Sequence, residues 1–163
     1  MNYLKLNRLA VIVFFTISFS AFLLGLFSLI QDGEKSAEIV KNASVFVRGV
    51  EVFVEIAKTN EELSRGLGGK ETLFPNTGML FVFGEDGIHS FWMKDMKFAI
   101  DMIWINKNGE IVDIKEDAKP EFFPERYSPR SNARFVLEVQ SGFSKKHQIN
   151  IGDRVLLPTF VLK

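Results

Sequence analysis

Residues 99–105, AIDMIWI, are apolar on both sides of a strand. Ile100, Met102 and Trp104 point one way, and Ile103 and Ile105 point the other, in company with Asp101. Such a strand is expected to be buried on both faces. Asn106-Lys107-Asn108-Gly109 follows, then EIVDIKE. Asn-Gly between alternating runs is the strongest short hairpin signal, so 99–105 and 110–116 are predicted as antiparallel partners. A buried carboxylate is costly without partners, so Asp101 needs them. Lys94, Arg65 and the backbone N–H groups of the Trp92-Met93-Lys94 turn are the nearby donors.

Other segments fit the same pattern. Val50–Thr59 alternates, with Val50, Val52, Val54 and Ile56 on one side and Glu51 and Glu55 on the other, which predicts a half-buried strand. Val45–Val47, before Arg48-Gly49, reads as its hairpin partner. Thr59 to Glu62 has capping-box spacing and Gly66 or Gly68 ends the run, so a short helix is predicted over 60–66. GMLFVF at 78–83 reads as a buried strand, and a second strand begins near Ile88 and runs through Trp92. Residues 117–133 hold three prolines and no alternation, which predicts a long surface loop exposing Phe122, Phe123 and Tyr127. ARFVLEV is a strand, SGFSKKHQI a second short helix, and NIGDRVLLPTFVL a turn with the last strand. The fold class is α+β, mostly β: a compact barrel-like antiparallel domain, closed or partly closed, with two short helices.

The chain begins differently. Leu9–Ile30 is a run of 22 residues without a charge. As a helix it would be about 33 Å long, which matches a hydrocarbon core of about 30 Å, and it has no polar face. It is too long for the apolar part of a typical cleaved signal, so an uncleaved transmembrane signal anchor is expected. Lys5 and Arg8 precede the run, whereas Asp32 and Glu34 follow it, which puts the N-terminus in the cytoplasm. The predicted organisation is a cytoplasmic N-terminus at 1–8, an anchor at 9–30, a stalk at 31–43 and an extracytoplasmic β-rich domain at 44–163. The localisation that follows is the cell membrane, single-pass, with the C-terminal domain outside the cytoplasm.

Charge narrows the partners. The 20 basic and 20 acidic residues balance and form no basic block, so nucleic acid is not an expected partner. The absence of cysteine excludes thiol catalysis and thiolate metal sites.

In order along the chain, RGLGGKETLFPNTGMLFVF, FWMKDMKFAIDMIWINKNGEIVDI, FVLEVQSG and INIGDRVLL resemble the domain-of-unknown-function family numbered 192. The resemblance runs from about Val50 to Leu157. It implies a small β-rich, barrel-like domain behind a signal peptide or membrane segment, and no established activity. Carried over by position, it marks Arg65, Gly66, Leu67, Gly78 to Phe81, Phe91 to Lys94, Asp101, Gly109, Leu137, Glu138, Gly142, Gly152 and Asp153. Gly68, Asp95-Met96 and Phe98-Ala99-Ile100 depart from the family pattern.

Several constellations could carry chemistry. The leading one is a concavity near Arg65, Trp92, Lys94 and Asp101, rimmed by 117–133, with Met93 and Glu138 as further ligand-binding candidates. Asp101 would orient the Trp92 turn, as a structural clamp or as a ligand-binding group. A second is a carboxylate pair, Asp101 with Glu138, as in hydrolases whose two acids stand about 5–10 Å apart. A third is Cu(I) held by His89, Met93 and Met96 near Trp92, because soft ligands select that ion. Phe122, Phe123, Arg126, Tyr127 and Arg130 form a mixture suited to a partner or glycan surface. No Gly-x-Ser-x-Gly, phosphate-cradling glycine loop or His-Glu-x-x-His is present, so an enzyme has no motif behind it, and outside the Cu(I) reading no metal or cofactor is implied. The expected function is a ligand-binding or accessory module, whose partners are the membrane through the N-terminal helix and a small-molecule, glycan or protein ligand.

Overall fold

The computed structural model describes residues 42–162, so the predicted anchor and stalk lie outside the described residues. Among the described residues no helix is long and apolar enough to cross a membrane.

β1 (Asn42–Val47) and β2 (Val50–Ala57) form the expected hairpin around Arg48-Gly49. Both turn residues have positive φ, 50° and 79°, the mirror-image turn that matches right-handed strand twist. Val52, Val54 and Ile56 are buried and Glu51 is exposed, as the alternation requires. α1 (Asn60–Arg65) opens on a complete capping box: Thr59 Oγ1 accepts from Glu62 N, and the Glu62 carboxylate accepts from Thr59 N at 3.0 Å. Such a cap is worth about 1 kcal/mol.

β3 (Thr77–Gly87) departs from the all-antiparallel expectation, because it pairs with β2 in parallel. The cause is the connection. Residues 58–76, including α1, are long enough to carry the chain back to the start of the sheet, which a parallel pair demands. β4 (Phe91–Trp92) is only two residues long and leaves the main sheet. It pairs with β7 (Arg126–Tyr127), so the stretch 117–133 is tied down at its middle by a two-residue ribbon and is not a free loop.

β5 (Ile100–Ile105) is buried at every position, and β6 (Ile111–Ala118) is its antiparallel partner. The turn between them is not a two-residue Asn-Gly turn. Only Gly109 has positive φ, and the Asn106 side chain accepts from the backbone N–H groups of Asn108 and Glu110. β8 (Ala133–Gln140), α2 (Phe143–Lys146) and β9 (Val155–Leu156) complete the domain. The seven-stranded order is β6-β5-β8-β3-β2-β1-β9.

This sheet curls into a half-barrel whose edges meet at one seam. Val155 N donates to Gly109 O at 2.8 Å, and Ile111 N donates to Asp153 O at 2.9 Å. A β-carbon at 109 would stand 2.8 Å from Val155 O, so glycine permits the seam as well as the turn. Inside the curl lies one core, with Val45, Val54, Leu80, Ile103, Leu137 and Val155. A second core, built around Met79, Phe81, Met102, Trp104 and Val136, lies on the other face of β3, β5 and β8. β5 therefore has the two-sided burial that its composition predicts.

Arg130 ties the β7–β8 connection to β6. Its Nε and Nη2 donate to the two Asp113 oxygens at 3.0 and 2.8 Å, and its backbone N adds a third bond. The Arg130 guanidinium, with help from backbone N–H groups, holds the Asp113 carboxyl below its ordinary value of 3.8. A lowered value stabilises the fold above that range, and the contribution is lost as the carboxyl protonates at lower pH. Asp113→Asn is therefore expected to lower Tm by several degrees at pH 7, with the deficit closing as acidification protonates the parent carboxyl. Differential scanning calorimetry across that range checks this, and a deficit independent of pH would refute the account.

Candidate functional site

The last turn of α1, the loop 66–69, the β3 strand and the segment 88–96 surround a recess of about 900 Å³. Two glycines bring its walls together. A β-carbon at Gly68 would stand 2.9 Å from Arg65 O and 3.3 Å from Lys94 O, and Gly69 N donates to Asp95 O at 2.9 Å. The loop leaving α1 can thus lie directly against 94–95. This accounts for glycine at 68, one of the departures from the family pattern. The opposite wall is fixed by Trp104, whose buried indole N–H donates to His89 O at 2.9 Å.

Aromatic rings line the interior. Phe81 and Phe91 meet edge to face at 4.8 Å, Phe91 meets Trp104 the same way at 6.2 Å, and Phe83 stacks on His89 at 3.6 Å. Trp92 is partly exposed, with the Arg126 guanidinium 4.4 Å from its ring centroid and Lys94 Nζ at 5.8 Å.

Glu138 reaches this recess from β8. Its register partners are Met79 on β3 and Met102 on β5, both buried, so the acid stands between two thioether side chains. It is 4% exposed, and among the described residues its carboxyl has no hydrogen-bond or ion-pair partner. Burial, with nothing opposing it, pushes the Glu138 carboxyl up to about 8. Near neutral pH it is mostly a neutral acid.

The predicted site residues separate. Arg65, Trp92, Lys94 and Glu138 line the recess, and Arg126 joins them from the 117–133 stretch. Met93 is packed in the second core and Asp101 is fully buried elsewhere, so neither belongs to the lining. The expectation that Arg65, Lys94 or the Trp-Met-Lys turn balances Asp101 is corrected. Its partners are Asp117 N at 3.0 Å and Gly142 N at 3.2 Å on one oxygen, and Ser144 N at 2.8 Å on the other. It clamps the ends of β5 and β6 to the start of α2. Arg65 instead lies 3.9 Å from Glu61, one helical turn away.

The carboxylate-pair scheme fails on register. Asp101 stands opposite Val139 and Met102 opposite Glu138, so the two acids project from opposite faces of the sheet. The Cu(I) set is likewise not assembled: Met93 is closed off in the core, while His89 Nε2 lies 3.0 Å from the Glu85 carbonyl oxygen. The resemblance marks Met79, Phe81 and Phe91 without giving them a role in the site, and neither Phe83 nor Met102 is singled out from sequence. Val136, two residues before Glu138 in FVLEV and on the same side of the strand, is the local signal that the second face of β8 is buried.

A mostly β half-barrel with an open, aromatic-walled recess on its outer face defines the class of domain. The chain belongs to the family DUF192 (Uncharacterized ACR), which it matches over residues 43–157. It is similar to the UPF0127 protein of Pyrococcus furiosus, 28% identical over 115 residues, covering 66% of this chain and 90% of that protein. A crystal structure from Sinorhizobium meliloti 1021, provisionally described as a transcription regulator, is also similar. It has 29% identity and a TM-score of 0.65, covering 72% of this chain and 95% of that one. A protein of unknown function from Novosphingobium aromaticivorans shares the fold at a TM-score of 0.66 and 24% identity, over 71% of this chain and 85% of that one.

Proposed function

We propose that the chain is a membrane-anchored binding module whose extracytoplasmic domain takes a small ligand into the recess beside α1, β3 and β4. The observation that carries this reading is Glu138. An acid held among apolar side chains without a partner destabilises the fold, and a groove of this size beside it gives a ligand room to supply that partner. The lining supports the same reading, with aromatic surface for contact area and charged groups of both signs, Glu61 and Asp95 beside Arg65, Lys94 and Arg126, for orientation. The anchor rests on the charge-free run 9–30 and its flanking charges.

The test is a ligand-observed NMR screen of small molecules on the full chain and on Ser64→Trp. Ser64 is exposed and lines the recess, so an indole there fills the space without disturbing the core. Hits on the parent chain are expected to lose binding at least tenfold in the variant. A screen with no hits, or hits indifferent to the substitution, would falsify the reading. Membrane fractionation tests the anchor: the full-length chain is expected in the membrane fraction, and recovery of a soluble form cut after the small-residue site Ser18-Phe19-Ser20 within that run would count against it.

A further inference from the structure

The environment of Glu138 also indicates what kind of ligand enters. Met79 and Met102 flank it on both neighbouring strands and supply no hydrogen-bond donor. The charged and titratable groups facing the recess come from its other walls: Glu61 and Arg65 on α1, His89 before β4, Lys94 and Asp95 after it, and Arg126 on β7. Arg126 and Lys94 are engaged with the Trp92 ring at the mouth, and Arg65 with Glu61. No tethered cation forms an ion pair with Glu138 among the described residues.

We infer that the ligand is an organic cation, with its ammonium or guanidinium group against the Glu138 carboxyl and within the wall of Phe81, Phe91 and Trp92, and that it enters as the Glu138 proton leaves to solvent. The inference rests on the binding-module reading above. Ion pairing, ring electrostatics and charge balance all favour a cation. A neutral hydroxyl offers one hydrogen bond, whereas a cation also restores the Coulombic partner that a desolvated carboxylate lacks. Aromatic faces carry negative quadrupoles that attract cations, and Trp92 already holds a guanidinium at 4.4 Å. Exchange is also neutral in charge. With Glu138 protonated, and leaving His89 aside, the lining holds three cations and two anions. A monovalent ligand replacing the proton leaves that sum unchanged.

The competent form is the ionised one. With the Glu138 carboxyl near 8, about one-tenth of molecules hold the carboxylate at pH 7 and about nine-tenths at pH 9. Apparent affinity for a cation should therefore rise about tenfold across that interval.

The test uses three isosteres on the full chain in a non-ionic polyoxyethylene detergent: choline, uncharged 3,3-dimethylbutanol and anionic 3,3-dimethylbutanoate. Isothermal titration is run at pH 7 and pH 9, and at pH 7 in two buffers of different ionisation enthalpy. Choline is expected to bind at least tenfold tighter than either isostere, to release close to one proton per site at pH 7, and to gain about tenfold by pH 9. Glu138→Gln is expected to lose that preference and to flatten the pH dependence. Persistence of the pH dependence in Glu138→Gln would assign it to His89 or another group and overturn the inference. Equal or tighter binding of the uncharged or anionic isostere, blocked by Ser64→Trp, would overturn it while leaving the binding module standing. Failure of all three to bind would overturn it as well, and the broader screen on the Ser64→Trp pair then decides whether the binding module survives.

Discussion

Asp101→Ala is expected to lower unfolding free energy by about 3–5 kcal/mol, the largest loss from any single truncation of a polar side chain in this domain. The carboxylate is fully buried and accepts from the backbone N–H groups of Asp117, Gly142 and Ser144. Alanine leaves three donors without their acceptor, that of Ser144 fully buried, and each orphaned donor costs about 1–3 kcal/mol before water or relaxation recovers some of it. Asp117 adds to the dependence. Its φ is 51°, an unfavourable conformation for a residue with a β-carbon, and Ser141 Oγ donates to its side chain at 2.8 Å. Asp101→Asn should cost less, about 2–3 kcal/mol, because one oxygen can keep two bonds while the amide N–H₂ faces the Ser144 donor. Urea unfolding of the parent and both variants measures this. Equal midpoints for parent and alanine variant would show that the clamp contributes nothing.

The second large effect has the opposite sign. Glu138→Met is expected to stabilise the domain, by about 2–4 kcal/mol near pH 9, because it extends the Met79–Met102 packing and removes a carboxylate with no partner. The gain should depend on pH. The folded-state value, raised to about 8 from an ordinary 4.5, means that between those values the native protein binds more protons at this site than the unfolded chain does. Stability from this group is therefore complete below about pH 4.5 and falls as pH rises through about 8. The methionine variant should lack that decline, so the two stability curves diverge with increasing pH. Thermal unfolding at pH 5, 7 and 9 checks it, and parallel curves would mean that Glu138 is solvated or paired. A gain in stability accompanied by loss of binding would be the trade-off expected where an unfavourable burial is retained for function.

The elements that the sequence made legible are those whose signals are local. The β1–β2 hairpin follows from alternation and two turn residues, and α1 follows from a capping box and a glycine stop. The burial of β5 on both faces follows from an apolar run whose two parities are both filled. What could not be read is what depends on a neighbour distant in sequence. The parallel β2–β3 pair, the β4–β7 ribbon and the seam at Gly109 are pairings between segments whose own patterns name no partner. Asp101 shows the same limit: its need for partners was evident in AIDMIWI, but the donors come from residues 117, 142 and 144. The carboxylate pair was excluded by strand register, because a difference of one residue sends a side chain to the other face.

By itself the sequence determined that this chain carries a β-rich domain behind a charge-free apolar run of 22 residues, and it determined the family. Periodicity, capping and turn chemistry act over a few residues, so a single chain displays them. Only the tertiary structure decided that Asp101 is a clamp and that Glu138 stands alone at a recess. Burial and hydrogen-bond satisfaction are properties of the strands on either side, and β3 and β5 reach β8 from positions some thirty to sixty residues away.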